Sequence, residues 1–356
     1  MPRPHAAAVL GDAWNRRLTG SLSGRGWKTK IVPFTGYGTV GFVRVMGRVL
    51  MSRDPLRPAA ADADATATQL RAAEDEHRGW RAFMTAPAMV VPITVTVGHQ
   101  VVTNRTDRAG LIDVLIRGHG LAPGWHTVRI SSPDARDVDA AVLIVGAAQT
   151  FGIISDIDDT VLSTSLPRPM IAAWNTFIRA EATRRAVPGM ATMYRDLLGR
   201  HPGAPIVYVS TGAWNTAPLL TRFLRRNGFP LGPMLLTDWG PTPTGWFRSG
   251  RDHKQAALHR LARDLPHIRW LLVGDDGQHD PSIYGDFAEV RSDVVRAVAI
   301  RQLSTAEQVL AHVLPVSNEE LTPARRRPVD VPVCRASDGY GLAPLIDVAL
   351  GVGPDA

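Results

Sequence analysis

The chain has 356 residues, 45% of them apolar and 21% charged, with a net charge of +7 and a mean hydropathy of −0.04. That length fits two domains of ordinary size, and the composition excludes wholesale disorder and a fibrous repeat. A single cysteine, Cys334, excludes an internal disulfide and a thiolate metal cluster.

Residues 1–27 read as a helix/loop segment around Trp14. The opening MPRPHAAAVLGDAW lacks the apolar core of a secretory leader, and no run of about 18 apolar residues exists to span a bilayer. A cytoplasmic location is expected, with peripheral contact at a membrane as its variant. Residues 1–60 hold ten Lys/Arg against two acids, so the positive charge of the chain gathers there. Such a region either faces an anionic membrane or is a solvated basic surface. No aromatic interleaving or nucleic-acid motif accompanies it, so no nucleic-acid partner is expected. The sequence carries no signal for an oligomeric state.

Residues 28–148 read as a β-rich, β-sandwich-like domain. KTKIVPF, FVRVMGRVL, VPITVTV, VVTNRT, GLIDVLIRG, WHTVRIS and DAAVLIV are short, rich in Val and Ile, and separated by Gly, Pro or Asp. Residues 66–86 carry good helix formers and read as a helical insertion. Gly36-Tyr37-Gly38-Thr39-Val40-Gly41 matches G-x-G-x-x-G literally. The dinucleotide reading needs a helix next, and FVRVMGRVL alternates as a strand instead.

Residues 149–315 change pattern. Apolar strands (FGIISDID, PIVYVST, MLLTDW, RWLLVGDD, AVAIRQL) alternate with helices near 172–186, 189–200, 215–227, 252–264 and 281–287. This is the signature of an α/β domain with a parallel sheet covered on both faces. Residues 316–356 read as a Pro-rich C-terminal tail, with 339–350 able to dock as a short helix.

Four segments place polar residues at strand or helix ends. Asp156, Asp158 and Asp159, followed by Thr160, close the first apolar strand. Three carboxylates in four residues repel one another unless a hard cation relieves them. The other reading is an acidic turn capping a helix. A calcium loop is excluded because its twelfth position is Pro167. Ser210 and Thr211 with Gly212 end the second strand, where hydroxyls and N–H groups either bind an anion or cap a helix. Lys254 opens a helix and is one of only three lysines among forty cationic residues. A lysine in an arginine-rich chain points to a need for a compact ammonium. Asp275 and Asp276, with Asp280 beyond them, end a further apolar strand.

Taken in order, these segments resemble the haloacid dehalogenase superfamily of phosphotransferases. The pattern DxDx[TV], [ST], Lys, GD is met by Asp156/Asp158/Thr160, Ser210, Lys254 and Gly274-Asp275. DIDDTV, VYVSTG followed by Trp214, and GDDGQHDPSIY are more closely similar to the actin-patch-associated phosphatidate phosphatase family and its bacterial relatives. Gly36-Tyr37-Gly38-Thr39 and Gly47-Arg48-Val49 resemble elements of that family's preceding β-rich region. Two departures stand out: Asp159 where the signature usually has Gly, and Asp276 beside Asp275.

The resemblance implies a Rossmann-like parallel sheet of the haloacid dehalogenase type. It implies phosphomonoester hydrolysis through an aspartyl-phosphate, with phosphatidate as substrate and Mg²⁺ as cofactor. Asp156 is then the nucleophile and Asp158 the general acid and base. The metal is held by Asp156, Asp275 and the backbone carbonyl of Asp158, and the phosphoryl group by Ser210, Thr211 and Lys254. Asp159, Thr160, Asp276 and Asp280 support the site, Asp280 by orienting Lys254 or a metal-bound water. The stretch from Val161 to Pro188 is too short for a globular lid, so an open site suits a large or surface-bound substrate. Trp174, Trp214, Trp239 and Trp246 are candidates to line its mouth, or else core residues. The alternatives are a phosphatase of soluble metabolites or phosphoproteins, and a non-catalytic membrane-docking module.

Overall fold

The computed structural model describes residues 27–52, 86–164, 184–237, 250–277, 279–305, 307–308 and 330–352. The segment around Trp14, the insertion at 66–85, most of the helix expected over 172–186, Trp174, Trp239 and Trp246 lie outside the described residues. The chain divides into two units. One takes the described residues up to Ala147 together with Ala213–Arg222; the other takes the rest.

The first unit is built on one mixed sheet. Its strands are β1 (Lys28–Thr39), β2 (Phe42–Ser52), β3 (Ala86–Pro87), β4 (Pro92–Val97), β5 (Gln100–Arg105), β6 (Leu111–Arg117), β7 (Gly124–Ser132) and β8 (Ala135–Val145). Their order is β3-β2-β1-β8-β7-β4-β5, with β6 also pairing β2. Val43, Val45, Ile93, Val95, Ile112, Val114, Val128 and Ile130 lie between more exposed neighbours along their strands and join one buried cluster with Val142 and Ile144, whose strand β8 is buried on both faces from Ala140 to Val145. A sheet that lends a single face to a single core curls around it. The result is a nearly closed, barrel-like sheet with β5 at one end and β3 and β6, both paired to β2, at the other. This corrects the sandwich expectation: alternation marks the buried face of each strand but is the same for two facing sheets and for one curled sheet.

Gly36 and Gly38 explain the GYGT element. β1 pairs antiparallel with β2 and parallel with β8. A Cβ at Gly36 would collide with the Arg44 carbonyl, and one at Gly38 with the Phe42 carbonyl. The glycines allow close strand approach, and strand β2 follows directly, as the alternation in FVRVMGRVL required.

The second unit contains β9 (Phe151–Asp156), β10 (Leu162–Thr164), β11 (Arg184–Ala186), α1 (Met190–Arg200), β12 (Ile206–Ala213), α2 (Ala217–Arg226), β13 (Met234–Thr237), α3 (Gly250–Asp264), β14 (Arg269–Asp275), α4 (Asp280–Val290), β15 (Val295–Arg301), β16 (Val333–Ala336) and α5 (Gly339–Leu350). Ala213 and α2 as far as Arg222 group with the first unit. The sheet order is β13-β12-β9-β14-β15-β16. The pairs β12/β9, β9/β14, β14/β15 and β15/β16 are all parallel. β9 is buried along its whole length and β14 from Trp270 onward, as a sheet covered on both faces requires. β9 is also the strand from which the order runs outward both ways, so a crevice opens at its carboxyl end.

Two local expectations change here. Arg184–Ala186, the end of the segment expected to be helical, pairs with Leu162–Thr164 as an antiparallel ribbon. The C-terminal segment is not a tail throughout. Val333–Ala336 adds a parallel edge strand to β15, while Gly339–Leu350 forms α5, the short helix expected over 339–350, N-capped by Asp338. The short VCRA strand has no strong signal of its own, because its pairing energy comes from the open edge of β15. No helix among the described residues is long and apolar enough to cross a membrane.

Candidate active site

The topology brings four separate segments of the second unit to one sheet edge. Asp156 is the last residue of β9 and Asp275 the last of β14, an adjacent strand. Val209 pairs with Asp156 across β12 and β9, which puts Ser210 one step beyond the aspartate. The helices supply the rest. Along α3 the buried residues are Lys254, Ala257, Leu258, Leu261 and Ala262; along α4 they are Asp280, Ile283, Tyr284, Phe287 and Ala288. Both sets follow the spacing of a core-facing stripe. Each stripe begins with a charged residue, so packing its apolar residues against the sheet delivers an ammonium and a carboxylate to the sheet edge.

These groups meet. Lys254 Nζ lies 2.6 Å from Asp156 Oδ1 and 2.5 Å from Asp280 Oδ1. Ligand oxygens of Asp156, Asp275 and Asp280 all fall within 4.8 Å of one another. Asp156, Lys254, Asp275 and Asp280 are each buried to 5% exposure or less. Burial pushes the Asp156 carboxyl well above the usual carboxylate range. The Lys254 ammonium opposes that shift, while Asp280, Asp158 and Asp275 reinforce it. Burial alone would lower the Lys254 pKa, but the facing carboxylates Asp156, Asp280 and Asp275 outweigh it and hold the ammonium protonated. Gly274 is needed where α4 crosses the strand end: a Cβ there would lie 2.5 Å from Asp280 Oδ2 and 2.7 Å from the Tyr284 ring.

Asp158 accepts a hydrogen bond from Ser210 Oγ at 2.8 Å, and Ser210 Oγ in turn accepts from Gly212 N at 2.9 Å. The hydroxyl therefore links the loop after β9 to the end of β12. The Thr211 carbonyl accepts from Thr237 Oγ1 at 2.8 Å, tying β12 to β13. The Thr160 hydroxyl is fully buried, and its oxygen makes no hydrogen bond. Of the two adjacent acids, Asp275 joins the carboxylate cluster, with Oδ1 accepting from Gly277 N at 2.6 Å. Asp276 Oδ1 instead accepts from Leu303 N at 2.8 Å and fixes the loop after β15.

Asp159 occupies the left-handed region, with φ at +60°. That accounts for the glycine more usual at this position, and Asp is among the few other residues that visit the region. Its N–H donates to the Leu162 carbonyl at 2.7 Å, and its carbonyl accepts from Arg301 Nη1 at 2.7 Å. Arg301 and its partner Glu307 are not in the sequence motifs. The signal available was a charge ending the apolar run Ala297–Ile300, followed by Ser304-x-x-Glu307, the spacing of a capping box.

The cluster suits a hard divalent cation. Three buried carboxylates face one ammonium, leaving net negative charge in a poorly solvated place. Asp156 Oδ2 and Asp280 Oδ2 are both buried without a hydrogen-bond partner. All three acids offer oxygen ligands, the type magnesium prefers.

One expected feature moves. Trp214 does not line an open mouth: it is buried in the first unit and stacks on Phe34, with ring centroids 4.7 Å apart.

Residues 151–302 match a family model described as the catalytic domain of phosphatidate phosphatase APP1. The chain is 28% identical over 172 residues to phosphatidate phosphatase APP1 of Saccharomyces cerevisiae, covering 47% of this chain and 29% of that protein. It is 24% identical over 152 residues to an uncharacterized protein of Schizosaccharomyces pombe, covering 42% of this chain and 25% of that one. The chain thus spans less than a third of the length of these relatives. A solved carbohydrate acetylesterase from Xanthomonas citri aligns over 79% of this chain and 71% of its own at 10% identity, with a TM-score of 0.27, too low to bear on the fold.

Proposed function

We propose that the second unit is a phosphomonoester phosphatase of the haloacid dehalogenase type. Its substrate is phosphatidate, cleaved to diacylglycerol and inorganic phosphate. One observation carries the reading. A buried aspartate, Asp156, has one oxygen on Lys254 and the other without a protein partner, beside Asp275 and Asp280. It does so within a stretch similar to a phosphatidate phosphatase catalytic domain.

In this scheme an Asp156 oxygen attacks phosphorus in line, and the bond from phosphorus to the substrate's ester oxygen breaks. Asp158 gives its proton to the departing alkoxide. Water then attacks the aspartyl-phosphate, Asp158 takes the water's proton, and Asp156 leaves as the free carboxylate with release of inorganic phosphate. The Ser210 hydroxyl holds the Asp158 carboxyl at 2.8 Å, which fixes the acid and base relative to β12. Lys254 supplies positive charge to the phosphoryl oxygens, and Asp280 fixes its ammonium. Ser210 and Thr211 complete the phosphoryl contacts. Mg²⁺, held by Asp156, Asp275 and the backbone carbonyl of Asp158, would supply charge neutralisation of the transferring phosphoryl group. Asp280 stands near enough to take part in the same cluster. On this reading the basic residues of 1–60 meet the anionic surface in which the substrate sits.

The test is phosphate release from phosphatidate vesicles and from soluble phosphomonoesters, each with and without Mg²⁺. Release from vesicles well above that from soluble esters supports the reading. Preference for a soluble ester removes the lipid, and no release from any ester removes the phosphatase.

A further inference from the structure

We infer that Arg301 and Glu307 form a positioning brace that holds the loop carrying Asp158 and Asp159 against the end of β15. The inference rests on the phosphatase reading only for its kinetic consequence.

Arg301 ends β15 and is buried to 6% exposure. Its guanidinium reaches three separate places. Nη1 donates to the Asp159 carbonyl at 2.7 Å, Nε to the Ser337 carbonyl at 3.0 Å, and Nη2 to Glu307 Oε1 at 2.6 Å. Its own backbone carbonyl accepts from Asp276 N at 3.0 Å. The side chain therefore ties the loop after β9 to Glu307 and Ser337, whereas the backbone bond continues the pairing of β14 with β15 and does not depend on the guanidinium.

Glu307 is fixed as firmly. Ser304 N and Ser304 Oγ both donate to Glu307 Oε2 at 2.9 Å, and Glu307 N donates back to Ser304 Oγ at 3.3 Å. This reciprocal arrangement is a capping box. It leaves Oε1 for Arg301 and for Ser163 Oγ at 3.1 Å. Ser163 lies in β10, so the carboxylate also grips the chain just beyond the Asp156–Thr160 motif.

The loop has reason to need such a grip. Asp159 holds a positive φ, a conformation unfavourable to a non-glycine residue, and its carbonyl is the group the Arg301 guanidinium holds. Asp158 is the neighbouring residue, so rotation of the Asp158–Asp159 peptide moves the group facing Ser210. A planar guanidinium with a fixed fork is suited to three acceptors in different directions, and a lysine ammonium on a flexible stem is not.

The experiment uses the full chain with Arg301→Lys and Glu307→Gln. Hydrogen exchange of the amides at 157–164 is compared with that of β9 and β14, alongside kcat and KM for phosphate release. The brace predicts faster exchange confined to 157–164 in both variants, with β9 and β14 unchanged. It also predicts that kcat falls about 10- to 100-fold while KM stays within about threefold, as displacement of a catalytic group would do. Exchange at 157–164 equal to wild type overturns the brace, as does uniform acceleration across the sheet. Local acceleration with unchanged kcat overturns its role in catalysis. If wild type releases no phosphate, the phosphatase reading fails separately, and the exchange pattern still decides whether the brace exists.

Discussion

Lys254 and Asp280 each occupy the first position of a buried helical stripe, on α3 and α4, and their charged ends meet at 2.5 Å. The residues behind them are ordinary core. The amphipathic pattern that packs two helices on a sheet thus also installs an ion pair beside Asp156.

Replacing Lys254 with Met keeps much of its volume and removes the charge. Asp156 and Asp280 are then buried without their ammonium, a change that costs about 3–5 kcal/mol when one partner of a buried pair is lost. Urea unfolding should show a lower midpoint at unchanged slope, and kcat/KM should fall by at least about 100-fold. An unchanged midpoint would show that the pair adds nothing to the fold.

Asp156→Asn and Asp158→Asn should each abolish phosphate release while leaving circular dichroism unchanged. Asp156→Asn also removes one of three crowded carboxylates, so its melting temperature should equal or exceed that of wild type. Turnover at the wild-type rate in either variant refutes the assigned roles.

Magnesium should raise the melting temperature of the wild-type chain, because a ligand bound only by the folded state stabilises it by about 2.7 kcal/mol at a hundredfold excess over Kd. Asp275→Asn should lose most of that rise, and chelation should silence phosphate release. A rise of equal size in the variant places the ion elsewhere.

Asp159→Gly and Asp159→Ala both delete the side chain, and they differ in tolerance of the positive φ. The glycine variant should be the more stable by about 1 kcal/mol in chemical denaturation. Equal stability would mean that the loop relaxes away from this conformation.

Burial alone would raise the Glu307 pKa, but hydrogen bonds from Arg301 and Ser304 and the Arg301 charge outweigh it and hold the carboxyl below its ordinary 4.5. The unfolded chain therefore binds the proton more readily. The stability Glu307 contributes is complete above about pH 4.5 and is lost as pH falls through its lowered value. Glu307→Gln should be less stable than wild type near pH 6, with the difference shrinking below about pH 4. Urea midpoints across that range give the comparison, and a constant difference would remove Glu307 from the acid response.

Much of the second unit was legible along the chain. Continuous apolar runs such as IVYV and WLLV marked buried strands, because a strand covered on both faces has no polar side to show. Carboxylates ending the runs FGIIS and RWLLVG named Asp156 and Asp275, since strand ends are where polar groups escape the core. Features that depend on non-local pairing became visible only in the folded chain. The alternation of β1 to β8 is the same in a sandwich and in a curled sheet, and only the closure onto one shared core distinguishes them. Val333–Ala336 became a strand because β15 offered an open edge. Arg301 gained its place from acceptors at Asp159, Glu307 and Ser337; the Ser304-x-x-Glu307 spacing marks a helix start but not the guanidinium that Glu307 receives. Periodicity reports which side of an element avoids water, whereas the choice of partner depends on surfaces that exist only after the chain has closed on itself.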